Sequence, residues 1–423
     1  MNTTEKRQFL ASCAAETGQI HDPICDLSAV GGKLNPANLG YPPNWLFPQA
    51  LGQSSYGFQV VGEFRGNQPP VLRGNNQWNY GTLSTFESVG LGDKVNALYD
   101  GNGAVVLPSG GAAIHAALGT IYLHLKQSKQ EGAILVPKHV YDYVSELLDS
   151  EFYFSRHQVL QYSASEENFE DAINEAAKRN MAVKVVYIES PVSNRFEIYN
   201  LEFLTKRAAE LGALTIEDST FATYLGRQPI RDAGVNIVVV SGGKYMGGYT
   251  DCSYGAVICK DSEMADRVAD FIKLTRLGTV APGTAELAIH RLGSVDARME
   301  QSYQTAKMLR REIFEPMIND GIADQILVYD PKTTLHPRAA RQITRGNGLF
   351  TVVFGANVKP EQRDAFIDSN PLAVLAAGWG GHVTTVTIPD INGKLGLRVH
   401  AGLEDPSDLQ RAFKISRTNV FGL

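Results

Sequence analysis

From about residue 100 onward, short apolar runs alternate with segments of helical period, and the fold class they predict is α/β. The prediction is a large domain built on a mostly parallel sheet, followed by a smaller α+β C-terminal domain. Three observations carry it. The strand-like runs are continuously apolar, as strands covered on both faces must be. Most are followed by a helix-period segment. Beyond a long helical stretch at roughly 283–318, strand-like runs dominate instead.

Taken in order, residues 1–80 are dense in Pro, Gly and Asn (LNPANLGYPPNWLFPQALGQ, EFRGNQPPVLRGNNQWNY) and predict an extended arm with one short helix near its start. Its aromatics, among them Tyr41, Trp45 and Phe58, suit packing on a partner subunit. GAVVLPSG then leads into the helical GAAIHAALGTIYLHLKQ, EGAILVPKH into YDYVSELLDS, and VKVVYIESP into LEFLTKRAAELG. ALTIEDSTF, NIVVVSGGK and SYGAVICK read as strands, and DSEMADRVADFIKL as a helix. In the last part QILVYDP, GLFTVVFG, AVLAAG and LGLRVHAG read as strands, with helices near 359–368 and 406–415. The expected divisions are an arm over 1–80, a large domain over 81–283, and a linking helix with the C-terminal domain over 284–423.

Composition narrows the function class. The 423 residues are 43% hydrophobic and 20% charged, enough for a sizeable core. A net charge of −6 argues against a nucleic-acid partner. No apolar run reaches the ~18 residues of a membrane span, and the N-terminal stretch lacks a secretory pattern. Cys13, Cys25, Cys252 and Cys259 show no CxxC spacing, so neither a metal site nor a disulfide framework is expected. A cytoplasmic location is the expectation.

The residues able to do chemistry lie at strand ends. IEDST (216–220) and SGGKYMGG (241–248) each close a β-rich run, which puts Asp218 and Lys244 at the carboxyl edge where open α/β sheets bind ligands. An aldehyde cofactor needs an amine to condense with and a carboxylate to keep its ring nitrogen protonated. This pair supplies both, although a surface lysine and a helix-capping aspartate would read the same way alone. In PSGGAAIHAAL (108–118) a strand ends, Ser109, Gly110 and Gly111 turn, and a helix begins. Such a turn offers amide N–H groups and a helix dipole to a phosphate; a plain capped turn is the alternative. Ser241 is placed to add a donor. Tyr141, in VPKHVYDY, suits stacking on a ring or a place in the core. Arg398, in GLRVHAGLED, suits a two-bond clamp on a carboxylate or a surface pair with Glu404 or Asp405.

In this order the stretches resemble the pyridoxal-phosphate enzymes of cysteine and methionine metabolism: cystathionine β-lyase, γ-synthase and γ-lyase, and methionine γ-lyase. The resemblance rests on YGTLSTFE (80–87), SGGAAIHAAL (109–118), VYDY (140–143), YIESP (187–191), ALTIEDSTFAT (213–223), SGGKYMGGYTD (241–251), AELAIHRLGSVDARM (285–299), GLFTVVF (348–354), GWGG (378–381) and LRVHAGLEDPSDL (397–409). It implies the aspartate-aminotransferase-like fold (fold type I), pyridoxal 5'-phosphate as cofactor and no metal. It implies Lys244 as Schiff-base lysine and general acid/base, Asp218 as partner of the ring nitrogen, and Tyr141 as stacking residue and proton donor. Gly110, Gly111 and Ser241, flanked by Ser109 and Thr220, are then the cofactor's phosphate side. Arg398 is implied for the substrate carboxylate, with Trp379 and Ser193 beside it. A homotetramer, a dimer of dimers, is implied, with Tyr80 reaching a neighbour's phosphate and a small amino acid as substrate.

YGTLSTF and ESPVS are most similar to the β-lyase, which implies a carbon–sulfur β-lyase acting on a cystathionine-like amino acid. The alternatives are γ-elimination or γ-replacement on an activated homoserine-type substrate, and a non-catalytic regulatory descendant. The sequence departs from the family pattern in places. Gly243 stands where threonine usually precedes the lysine. Thr82 and Leu83 follow Gly81 where an arginine is usual, with Arg73 as a candidate substitute. Ser193 stands for an asparagine, and His382 for an aromatic, as a substrate contact or a packed residue. These changes bear on the substrate more than on the cofactor.

Overall fold

The structure, a computed structural model, describes residues 84–329, 342 and 344–423. The expected arm, with Arg73, Tyr80, Thr82 and Leu83, lies outside the described residues.

The chain opens with helix α1 (Phe86–Leu98), capped by Thr85, whose hydroxyl accepts the Ser88 N–H. Strands and helices then alternate: β1 (Gly103–Leu107), α2 (Gly110–Gln127), β2 (Ala133–Pro137), α3 (Asp142–Asp149), β3 (Val159–Tyr162), α4 (Glu166–Lys178), β4 (Val183–Glu189), α5 (Leu201–Glu210) and β5 (Leu214–Asp218). Two short helices, α6 (Thr223–Gly226) and α7 (Pro229–Ala233), precede β6 (Ile237–Ser241), β7 (Gly255–Cys259) and α8 (Ser262–Thr275). The seven strands form one sheet in the order β1-β7-β6-β5-β4-β2-β3. Strands β6, β5, β4, β2 and β3 run parallel, whereas β7 is antiparallel to both its neighbours. The connection from β6 to β7 contains no helix to carry the chain over the sheet, so the chain returns antiparallel.

Burial follows the period-2 alternation of a strand. Ala133 and Leu135 of β2 pack into a cluster with Val186, Ile188, Val238 and Val240. Ile134 and Val136 face the opposite cluster with Val185, Ile216, Val239 and Val257. Both faces are covered by helices, which is why these strands read as unbroken apolar runs. Strand β3 and helix α4, absent from the sequence reading, complete one edge. Their pattern is hard to see because β3 is short and alternates intermediate, buried, exposed, buried.

The stretch expected as one long helix at 283–318 is divided. It comprises α9 (Pro282–Leu292), α10 (Val295–Leu309), a π-helical turn (Arg310–Phe314) and α11 (Glu315–Asn319). Gly293 and Ser294 break it first. Pro316 then supplies no N–H for the ladder, and the wider turn precedes it. The second sheet contains β8 (Ala323–Val328), β9 (Leu349–Phe354), β10 (Val374–Leu375), β11 (Thr385–Thr387) and β13 (Lys394–His400) in the order β10-β11-β13-β9-β8, with β12 (Asp390–Ile391) paired to β13. Helices α12 (Pro360–Asp368) and α13 (Pro406–Phe421) pack on it around Phe314, Phe350, Phe366 and Phe413. AVLAAG, expected as a strand, pairs only at Val374 and Leu375, and α13 runs past the expected end near 415. Among the described residues no helix is long and apolar enough to cross a membrane.

Candidate active site

The carboxyl ends of β2, β4, β5 and β6 face the second sheet across a cavity of about 410 Å³. That volume suits a cofactor-sized ligand. Its walls include Gly110 and Gly111 from the start of α2, Tyr141 from the head of α3, Asp218, Ser241 and Lys244 from strand ends, and Trp379 and Arg398 from the smaller unit.

Asp218 ends β5 and is 8% exposed. The Thr220 N–H donates to its Oδ1 at 2.9 Å, and the Thr220 hydroxyl oxygen accepts the Ser241 N–H at 2.7 Å. Thr220 thus locks two adjacent strand ends together below the cavity. Burial pushes the Asp218 carboxyl above its usual range, opposed by the Thr220 hydrogen bonds and the charge of Lys244. Among the described residues no arginine or lysine is hydrogen-bonded to this buried carboxylate. A proton-bearing partner entering the cavity would satisfy it.

Lys244 is half-buried in the loop after β6. Arg298, itself buried, donates to the Tyr245 carbonyl at 2.7 Å and the Met246 carbonyl at 3.1 Å, fixing the loop just beyond the lysine. The Lys244 Nζ stands 5.4 Å from the centroid of the Trp379 ring. Burial first, and the positive charge of Arg398 second, hold the amine below its ordinary pKa.

At the third corner the Ser109 hydroxyl accepts the Ala112 N–H at 3.1 Å, and the Ser109 carbonyl accepts that of Ala113. The N–H groups of Gly110 and Gly111 are left at the head of an 18-residue helix. Ser109 therefore caps α2 and is not on the cavity wall. A Cβ on Gly110 would lie 2.5 Å from that of Ser241, so only glycine lets the helix start this close to the serine. Gly243 has a comparable reason: a Cβ there would sit 3.0 Å from the Cys252 carbonyl oxygen, so the space of the family's threonine is partly taken.

Tyr141 is 51% exposed and lines the cavity, so it is not a core tyrosine. Partial burial, with Asp142 and Asp218 nearby, keeps its hydroxyl protonated well past neutral pH. Arg398 lies on β13 and is buried. Its Nη1 donates to Asn194 Oδ1 at 2.7 Å and its Nη2 to the Ala377 carbonyl at 2.6 Å. Burial lowers its pKa to about 10, which leaves it charged at neutral pH. The surface pairing with Glu404 or Asp405 does not occur: Glu404 takes the Thr384 N–H and hydroxyl, and Asp405 caps α13. Ser193 lines the cavity beside Asn194. His382 is exposed and stacks on Tyr249, with ring centroids 5.4 Å apart, away from the cavity lining. Two wall residues, Glu189 and Asn194, were not singled out from sequence. Glu189 ends a strand just as Asp218 does, and that position was the available signal.

These groups fit pyridoxal phosphate. The amine of lowered basicity, the buried carboxylate without a fixed cation, the exposed aromatic side chain and the glycine–serine cradle share one cavity.

Comparison with known proteins agrees. Cystathionine beta-lyase MetC of Staphylococcus haemolyticus is 27% identical over 355 residues, covering 80% of this chain and 84% of that protein. Cystathionine gamma-lyase of Bacillus subtilis is 27% identical over 242 residues, and there the match spans 62% of the relative's length. Among solved structures, cystathionine gamma synthase from Xanthomonas oryzae pv. oryzae superposes with a TM-score of 0.74 at 22% identity, covering 89% of this chain and 94% of that one, which establishes the shared fold. The family model described as Cys/Met metabolism PLP-dependent enzyme matches residues 51–401. With five-sixths of its length inside that match and a cavity that fits the cofactor, this chain belongs to the Cys/Met metabolism PLP-dependent enzyme family.

Proposed function

We propose that the enzyme breaks the Cβ–S bond of a cystathionine-like amino acid by β-elimination. The observation that carries this reading is the convergence of Lys244, Asp218, Tyr141 and Arg398 on one cavity. The relative named cystathionine beta-lyase supports it, since that match extends over most of both chains.

Arg398 binds the substrate carboxylate, its guanidinium already oriented by Asn194 and the Ala377 carbonyl. Lys244, less basic than a free lysine, takes the proton from Cα. The cofactor, when bound, supplies the electron sink that stabilises the resulting negative charge at Cα. Asp218 holds a proton on the ring nitrogen and so maintains that sink. The Tyr141 hydroxyl, protonated at working pH, or the Lys244 ammonium delivers a proton to the departing sulfur. Trp379 and the β11–β13 face wall the site on the far side.

Incubation with cystathionine should yield pyruvate, ammonia and the free thiol, read by mass spectrometry. If 2-oxobutyrate appears instead, or a thioether forms only from an activated homoserine and a thiol, the chemistry is at Cγ and β-elimination is wrong. Arg398→Ala should raise KM by about 10²–10³-fold with a smaller loss in kcat, because a charged hydrogen-bonding partner of the carboxylate is removed. Arg398→Lys should restore little of this, since an ammonium cannot reproduce the fork held by Asn194 and Ala377.

A further inference from the structure

Glu189 takes no part in the reaction described above, yet it lines the same cavity and is 5% exposed. It ends β4, and in the parallel pairing with β5 its register partner is Asp218. Its Oε2 accepts the Tyr141 N–H at 2.6 Å, and the Ser193 backbone lies near enough to favour the charged form of the same carboxyl. The residue after Ser193 is Asn194, which holds Arg398. One side chain therefore sits among the loop carrying Tyr141, the loop leading to Arg398 and the strand end beside Asp218.

We infer that Glu189 is a positioning residue of the cofactor site, fixing the backbone at Tyr141 against the strand end that carries Asp218. The inference rests on the cofactor reading above. Loops that connect strand ends lack ladder partners, and a buried acceptor takes their place. Without it, the Tyr141 N–H loses its acceptor and the aromatic face of Tyr141 is free to shift.

The charge state of Glu189 follows from its surroundings. The groups facing it are Asp218 on β5, Tyr141 and Asp142 at the head of α3, Tyr187 within β4, and Tyr199 before α5, with Lys244 and Arg398 across the cavity. Burial, then the Asp218 carboxylate, push the Glu189 carboxyl up to about 8, against the pull of the Tyr141 and Ser193 backbone. Near neutral pH the Glu189–Asp218 pair therefore holds a proton between them. A neutral carboxyl still accepts hydrogen bonds, so the positioning role survives without charge, and the site keeps one carboxylate for the ring nitrogen. Glutamine is the matching neutral acceptor. Because the folded pKa lies above the unfolded one, the stability Glu189 contributes is complete below about 4.3 and is lost as pH rises through its folded value.

The test uses wild type, Glu189→Gln and Glu189→Leu, all full length. Cofactor-stripped protein is titrated with pyridoxal phosphate, and its thermal midpoint is followed between about pH 5 and pH 9, a range spanning both states. Glu189→Gln should bind the cofactor within about threefold of wild type, and Glu189→Leu about tenfold or more weakly, as expected for a stranded buried donor. The wild-type midpoint should fall relative to that of Glu189→Gln as pH rises to about 8, the value to which the site pushes Glu189; above it the two should run parallel. Leucine binding like wild type, glutamine binding as poorly as leucine, or midpoints parallel throughout would each overturn the inference. Should the leucine variant not fold, the wild-type and glutamine midpoints decide alone. Wild type that takes up no pyridoxal phosphate sinks the cofactor reading itself, whereas normal uptake by wild type and leucine variant alike sinks only the role of Glu189.

Discussion

Replacing Lys244 with alanine is expected to lower kcat/KM by about 10⁴-fold or more, because the proposed roles of covalent attachment point and general base are both lost. The geometry leaves no substitute. Among the described wall residues, Lys244 is the only amine, and its nearest aromatic neighbour, Trp379, carries no basic group. The low pKa of Lys244 depends on burial and on Arg398, neither of which an added soluble amine would reproduce fully. The purified variant should also lack the visible absorption of cofactor bound through a lysine, while keeping the wild-type fold by circular dichroism. A variant that kept both the band and the turnover would show that another lysine does this work.

Asp218→Asn should lower kcat by about 10²–10³-fold, the magnitude typical of removing one preorganised electrostatic group. The amide keeps the shape and can still accept the Thr220 N–H, so the strand-end contact survives. What goes is the negative charge that we propose pairs with the ring nitrogen. The cofactor-free protein should respond in the opposite direction. A buried carboxylate whose pKa is raised by desolvation costs more stability as pH rises through its folded pKa, so the wild-type melting point should fall relative to that of the asparagine form as pH rises. Gain in apo stability with loss of turnover would mark a residue kept for chemistry. An asparagine variant of undiminished kcat would exclude the assignment.

Much of the site was legible from sequence because its key residues occupy positions with a physical signature. Asp218 and Lys244 each follow an apolar run, and Gly110 and Gly111 sit between a strand and a helix. Their convergence on one cavity follows from parallel strands presenting the same end. Ser109 reads ambiguously because a capping hydroxyl and a ligand hydroxyl look alike in one dimension; the structure shows the capping bond to the Ala112 N–H. Glu189 and Asn194 went unrecognised because their roles depend on partners 48 and 204 residues away, Tyr141 and Arg398. The antiparallel β7 was equally hidden, since a buried strand has the same apolar run in either direction. The break at Gly293 was readable, but the π turn before Pro316 needed the three-dimensional ladder to appear.

The placement of β7 has a consequence for how the enzyme comes into being. Among the described residues β1 is an edge strand whose only sheet partner is β7, with Gly103 opposite the far later Cys259. The cradle at Gly110 and Gly111 follows directly from β1, so its seat in the sheet waits on a segment made much later. Contacts this remote are slow to close. During synthesis, a nascent chain that ends before residue 255 carries the glycine turn and the parallel strands but not the strand that joins β1 to them, and a ribosome stalled there should display a polypeptide that retains its vitamin-derived partner poorly.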